Sequence, residues 1–140
     1  MSRALLGLVI GLMLTVAGCG VEWLPSGGNT LEPTPADFSF DPKLCQLPAI
    51  VVTSAEIEVT GVTGQATVKV KNGEFSVNGG DFTTTTSFVT PTADQKIKVR
   101  VRHTTAAASA ASNIVITQLS VGNTSGFFYS TVNNGQTECR

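Results

Sequence analysis

Charge is scarce in this sequence: 14% of its 140 residues are Asp, Glu, Lys or Arg, and they nearly cancel to a net −1. Such a balance gives no bulk attraction for nucleic acid or for any strongly charged partner. Histidine occurs once, at residue 103, and cysteine three times, so a His- or Cys-rich metal centre is excluded. No Ser or Cys stands in a nucleophile-elbow context, and no paired carboxylates stand out. Asp37, Asp41, Asp81 and Asp94 are the only Asp residues that calcium could use, and they lack the D-x-D-x-D-G spacing of a Ca²⁺ loop. The expectation is a protein that is not an enzyme, with no cofactor, no metal and no small-molecule substrate. Leu, Glu and Lys are also sparse beyond residue 18, whereas Thr, Val, Ser, Gly and Asn are abundant, which favours strands and turns over helices.

Long apolar runs are absent but for one. Arg3 supplies a positive start, and residues 5–17 follow as an apolar stretch broken by Thr15. Thirteen residues fall short of the roughly 20 that a membrane span requires, so the segment reads as an export signal. It ends in Val16-Ala17-Gly18-Cys19, which resembles the lipobox of bacterial lipoprotein precursors. That resemblance implies cleavage before Cys19, a diacylglyceryl group on its sulfur and further acylation such as palmitate. Two or three acyl chains anchor stably, where one binds only marginally. Gly20, where an Asp would resemble an inner-membrane retention mark, implies the outer membrane of the cell envelope. The organisation expected is a signal peptide over 1–18, a lipidated N-terminus and flexible tether over 19–34, and one domain over 35–140. The mature part carries eight Lys or Arg against ten Asp or Glu. About fifteen tether residues span roughly 21 Å. Trp23 reads either as an interfacial anchor or as a plain tether residue.

With Cys19 taken by lipid, Cys45 and Cys139 are the remaining pair, in a compartment that permits disulfides. A bridge would close a loop of about 95 residues, worth up to about 4.7 kcal/mol in the chain-entropy model. Two free thiols are the alternative.

From Phe38 onward the hydrophobic period is two. Ile57 and Val59, then Ala66, Val68 and Val70, then Phe75 and Val77, then Ile97, Val99 and Val101 alternate with polar residues. Residues 113–121 and 126–132 are apolar at both parities and read as strands covered on both faces. Asn72-Gly73 is the strongest hairpin signal, since a type I′ turn asks both residues for positive φ. Residues 78–81, 91–94 and 122–125 mark further reversals. Residues 104–112 read as a loop, with a short helix as the alternative.

The succession Pro35-Ala36-Asp37-Phe38-Ser39-Phe40, Ser54 to Gly61, Gly73 to Thr83 and Ile97 to Arg102 resembles immunoglobulin-like or fibronectin-III-like modules of bacterial secreted and surface proteins. The resemblance implies an all-β, antiparallel immunoglobulin-like β-sandwich of about 7–9 strands. It further implies a non-catalytic spacer, adhesive unit or binding domain. Were Phe38 to Phe40 the first strand, Cys45 would lie just past its end. The last strand would finish at that same end of the sandwich, within the roughly 5.5 Å Cα separation of a disulfide.

Two surfaces have character. Lys96, Lys98, Arg100 and Arg102 share one parity, and Lys69 and Lys71 would join them if their strand lay alongside, giving an anionic-partner face. Against this, Glu56, Glu58 and Glu74 are neighbours that would leave the row a solvated outer face. Phe127, Phe128 and Tyr129 are consecutive, so one parity must leave the core unless the tether or the Cys45 loop covers it. His103 shares the parity of Ile97 and reads as a packing residue. The expected function is a membrane-anchored lipoprotein presenting one β-sandwich to an envelope protein or glycan partner. The alternatives are an accessory subunit of an envelope complex (secretion, pilus or electron-transfer) and a carbohydrate-binding module.

Overall fold

Period-two alternation becomes strand wherever the sequence carries it, because each such run hides one face and wets the other. The computed structural model describes residues 31–133. These form nine strands: β1 (Lys43–Gln46), β2 (Val51–Thr53), β3 (Ile57–Val59), β4 (Ala66–Lys71), β5 (Glu74–Val77), β6 (Ser87–Val89), β7 (Ile97–Thr104), β8 (Ile114–Val121) and β9 (Thr124–Val132). No helix occurs among the described residues. One sheet runs β1-β9-β8-β4-β6; in the other, β7 pairs with β2, β3 and β5. The two pack face to face as a sandwich, with Val59, Val68, Phe75, Val99, Leu119 and Phe128 buried between them.

Most connections change sheet. From β3 to β8 each successive strand lies in the sheet opposite its predecessor, and only β8 and β9 form a hairpin by adjacent pairing. This corrects the expectation at Asn72-Gly73. That turn joins β4 to β5, which belong to different sheets, so it is a corner and not a hairpin. Asn72 alone takes a positive φ, 60°, and its side-chain amide donates to the Ile116 carbonyl at 2.7 Å. Gly73 is required for space: a Cβ there would sit 2.7 Å from Thr117 Oγ1 and 2.8 Å from the Arg102 carbonyl. The two positive φ values of a type I′ turn occur instead at Asn78 (50°) and Gly79 (77°), closed by Gly80 N–H donating to Val77 O at 2.9 Å.

Two strands are bulged. Thr53 pairs with Arg102 and Ile57 with Val99, so three residues on one side, 54–56, face two on the other. Ser54 fills the gap: its N–H donates to Val101 O at 2.8 Å, and its hydroxyl oxygen accepts from Val101 N–H at 3.0 Å. β2 and β3 are thus one strand with a kink. β1 pairs parallel to β9 with a register shift between Lys43 and Gln46, where Cys45 takes a φ of 56°. The sandwich is therefore antiparallel except at this edge. Phe38 to Phe40 is not a strand; Phe40 is buried in the core, and Cys45 lies within β1 and not beyond its end.

The compact unit begins at Leu31, so residues 31–34, assigned to the tether by composition, belong to the sandwich. Buried Pro33 and Pro35 explain this: Pro33 O accepts from Asn123 N–H at 3.0 Å, and Pro35 O from the Thr124 hydroxyl at 2.7 Å. Glu32 accepts from the Thr67 hydroxyl and from Thr67 N–H at 3.1 Å. Residues 104–112 contain no helix; Thr105 N–H donates to Ile50 O at 2.7 Å and Ala49 N–H to Ala106 O at 3.1 Å, extending the β2–β7 ladder.

Candidate functional site

Chemistry inside the sandwich gathers around His103. Inward parity on β7 carries it between the sheets, 6% exposed, where β8 presents Thr117 and β9 presents Ser130, both fully buried. Thr117 Oγ1 donates its one proton to the Asn72 carbonyl at 2.6 Å. Its oxygen therefore accepts from the ring, which puts a proton on His103 Nδ1, 2.7 Å away. Nε2 is then the acceptor, and the Ser130 hydroxyl donates to it at 2.7 Å. The chain Ser130–His103–Thr117–Asn72 is thus a directional relay with every member satisfied. Burial holds the His103 pKa below its usual 6.5, which keeps the ring neutral. The ring also packs against Phe128 at 4.8 Å, at one end of an aromatic row that continues through Phe40 and Phe38.

A serine donating to a histidine suggests nucleophilic chemistry, but geometry decides otherwise. Ser130 is 0% exposed and its hydroxyl faces the core, so no substrate carbonyl can approach it. The relay specifies how β7, β8 and β9 register against the Asn72 corner. Its signal in the sequence was the occurrence of His103, Thr117 and Ser130 at positions whose parity matches Val101, Leu119 and Phe128. Among the described residues no group of three or more His, Cys, Asp or Glu gathers as a metal site, and Asp37, Asp41, Asp81 and Asp94 do not converge.

The basic row is real but compensated. Lys98, Arg100 and Arg102 lie on β7 and Lys96 just before it, all on the outer side of that sheet, and each meets a carboxylate from β3, β5 or the bulge. Lys96 pairs with Glu58 at 2.9 Å, Lys98 with Glu56 at 3.6 Å, Arg100 with Glu56 at 4.0 Å and Arg102 with Glu74 at 2.6 Å. Phe82 lies beneath two of them, 4.3 Å from Arg102 and 5.5 Å from Arg100. Lys69 and Lys71 do not join this row. Their strand, β4, is in the other sheet between β6 and β8, so the six-charge patch does not form.

The outer face of the five-stranded sheet is different. Phe128 points inward, while Phe127 and Tyr129 point out, 51% and 40% exposed. Among the described residues, neither 31–42 nor β1 covers them fully. Pairing sets Ile116 opposite Tyr129 and Gln118 opposite Phe127, and Gln118 opposite Lys71 on its other side. Ile114 extends the patch, so β8 and β9 are covered on one face only, contrary to the expectation from their composition. Ile116, Phe127 and Lys71 line one shallow depression with Asn72 and Gln118.

Cys19 with Val16, Ala17 and Gly18, and Cys139, lie outside the described residues. Cys45 N–H donates to Thr131 Oγ1 at 3.0 Å. No protein-family model matches this chain, and no curated protein matches it in sequence.

Proposed function

We propose that this chain is an exported lipoprotein, cut before and lipidated on Cys19, that presents one non-catalytic immunoglobulin-like β-sandwich as an interaction module at the outer membrane of a bacterial envelope. The nine-strand, two-sheet architecture supports the module. The observation that carries the non-catalytic reading is the sealing of the one serine–histidine pair inside the core. The apolar run closing on Val16-Ala17-Gly18-Cys19 supports the address. The exposed Ile114, Ile116, Phe127 and Tyr129 give such a module a surface to bind with, and also favour the second reading, an accessory subunit of an envelope complex.

Cys45 and Cys139 complete this proposal as a disulfide. Asn133 N–H donates to Gln46 O at 3.0 Å, which brings the end of β9 beside β1. The six residues from Asn133 to Cys139 reach up to about 20 Å, ample for return to Cys45. Intact-mass analysis of protein extracted from native membranes tests both parts. The expected species begins at Cys19, carries diacylglyceryl and acyl mass, and gains two hydrogens on reduction. A retained leader, or a start at residue 19 without fatty acid, overturns the lipoprotein reading.

A further inference from the structure

The geometry points to the outer face of the five-stranded sheet as a docking surface for an anionic lipid bilayer. The inference deepens the lipoprotein reading and rests on it for the membrane being near. Ile114, Ile116, Phe127 and Tyr129 are 47%, 52%, 51% and 40% exposed. Together they present roughly 400 Å² of contiguous apolar surface, taking about 200 Å² per side chain, within the roughly 300–600 Å² of the largest patch on a typical monomer, which is often functional. On the strands beside them the charge has one sign. Outward positions on β4, β8 and β9 are Thr67, Lys69 and Lys71, then Ile114, Ile116, Gln118 and Ser120, then Ser125, Phe127, Tyr129 and Thr131, with no Asp or Glu among them.

Glu32 is the carboxylate at the rim. Hydrogen bonds from the Thr67 hydroxyl and N–H hold its pKa below the usual range, with the Lys69 charge contributing less. Among the described residues neither Lys69 nor Lys71 forms an ion pair, whereas all four cations of the opposite sheet do. Aromatic and branched aliphatic side chains flanked by lysines match the acyl–headgroup boundary, where apolar groups sink and cations meet phosphate. A second copy of this chain would bring no carboxylate from its own β4, β8 or β9 to these lysines.

The lipoprotein reading favours the bilayer over an acidic protein, because an anchor on Cys19 would keep a membrane within reach of this face's lysines and apolar side chains. Glu32 is fastened to Thr67 and to Asn123, and Pro33 and Pro35 cap the β8–β9 turn, so the described chain enters at that end of the sandwich. Residues 20–30 are all that lies between a lipid on Cys19 and that point.

The test uses the whole mature chain, residues 19–140, with Cys19→Ser so that no anchor assists. Sedimentation with vesicles of phosphatidylcholine containing 30% phosphatidylglycerol is compared with pure phosphatidylcholine. Binding is expected to the anionic vesicles, weaker by about tenfold or more on pure phosphatidylcholine. Phe127→Ser with Tyr129→Ser should lower it at least tenfold. Lys69→Gln with Lys71→Gln should lower it about fivefold per lysine, the equivalent of ~1 kcal/mol each. Thermal melting checks that each variant folds; the lysine pair, whose side chains are exposed, decides the outcome should the aromatic pair unfold. No binding by the folded Cys19→Ser chain, or binding indifferent to both variants, overturns the inference, as does a sheet-to-sheet dimer or capture of an acidic protein through the same residues without vesicle binding. Because the unanchored chain is used, this failure is distinct from failure to find lipid on Cys19.

Discussion

Replacing Thr117 by Val removes one hydroxyl from the centre of the buried relay while keeping the shape of the side chain. Thr117 is 0% exposed, so nothing from solvent takes its place. Two groups lose their partner: the Asn72 carbonyl, which accepts at 2.6 Å, and His103 Nδ1–H, which donates at 2.7 Å. A buried orphan costs about 1–3 kcal/mol. Asn72 lies at an exposed corner, where water can reach its carbonyl, so its share falls at the low end. His103 gains nothing by changing tautomer: with the proton moved to Nε2 it donates to Ser130, and Nδ1 is left as a bare acceptor. The expected loss is about 2–3 kcal/mol, on the order of 10–20 °C in Tm for a domain of this size. Urea unfolding followed by circular dichroism, with the slope m monitored, measures it. The diagnostic is a double-mutant cycle with His103→Leu. Once the ring is gone, Thr117→Val should cost at least about 1 kcal/mol less than in the parent. A cost below about 0.5 kcal/mol, or the same cost in both backgrounds, refutes the relay and the tautomer it requires.

Acid should weaken the fold through the same histidine. Its folded pKa lies below the 6.5 it recovers on unfolding, so the contribution is complete above pH 6.5 and is lost as pH falls from there through the folded value. The slope cannot exceed about 1.4 kcal/mol per pH unit, and His103→Leu should abolish it below pH 6.5. Gly126→Ala should cost about 1–3 kcal/mol in thermal melts, since a Cβ would strike the Phe38 ring and lie 2.7 Å from the Phe38 carbonyl; an unchanged Tm would show that Phe38 moves freely. Arg102→Ala loses both the Glu74 pair and the Phe82 face, about 1 kcal/mol, whereas Lys96→Ala, 71% exposed, should stay within the scatter of repeated melts; equal effects would mean that the aromatic contributes nothing.

Local alternation was legible because a strand's parity is a property of its own residues. Ile97, Val99, Val101 and His103 all face inward as their spacing required, and the carboxylates named as neighbours of the β7 cations are their partners. Pairing was less legible, because it depends on which sheet the chain enters after each turn. Asn72-Gly73 has hairpin chemistry but serves as a corner: β5 pairs with β7, setting the buried Phe75 opposite Val101, and not with β4. The same dependence decides Lys69 and Lys71, which would have joined the β7 row only had β4 lain alongside it. Pro33 and Pro35 carry the composition of a linker, yet their carbonyls cap the β8–β9 turn, an arrangement that no period of the segment announces. The consecutive aromatics at 127–129 require one parity to leave the core, but only a backbone with fixed neighbours shows that Phe127 and Tyr129 remain about half exposed.

The habit of the chain to step across to the facing layer after nearly every strand has a kinetic side. The five-stranded layer draws on residues from 43 to 132, so no fragment shorter than that span contains it whole. Apart from the final hairpin, every pairing waits on a distant stretch, and closing those long loops comes before any reward from contact. Assembly should therefore be slow and all-or-none, with a chain cut short before β9 forfeiting both layers and not merely its last strand.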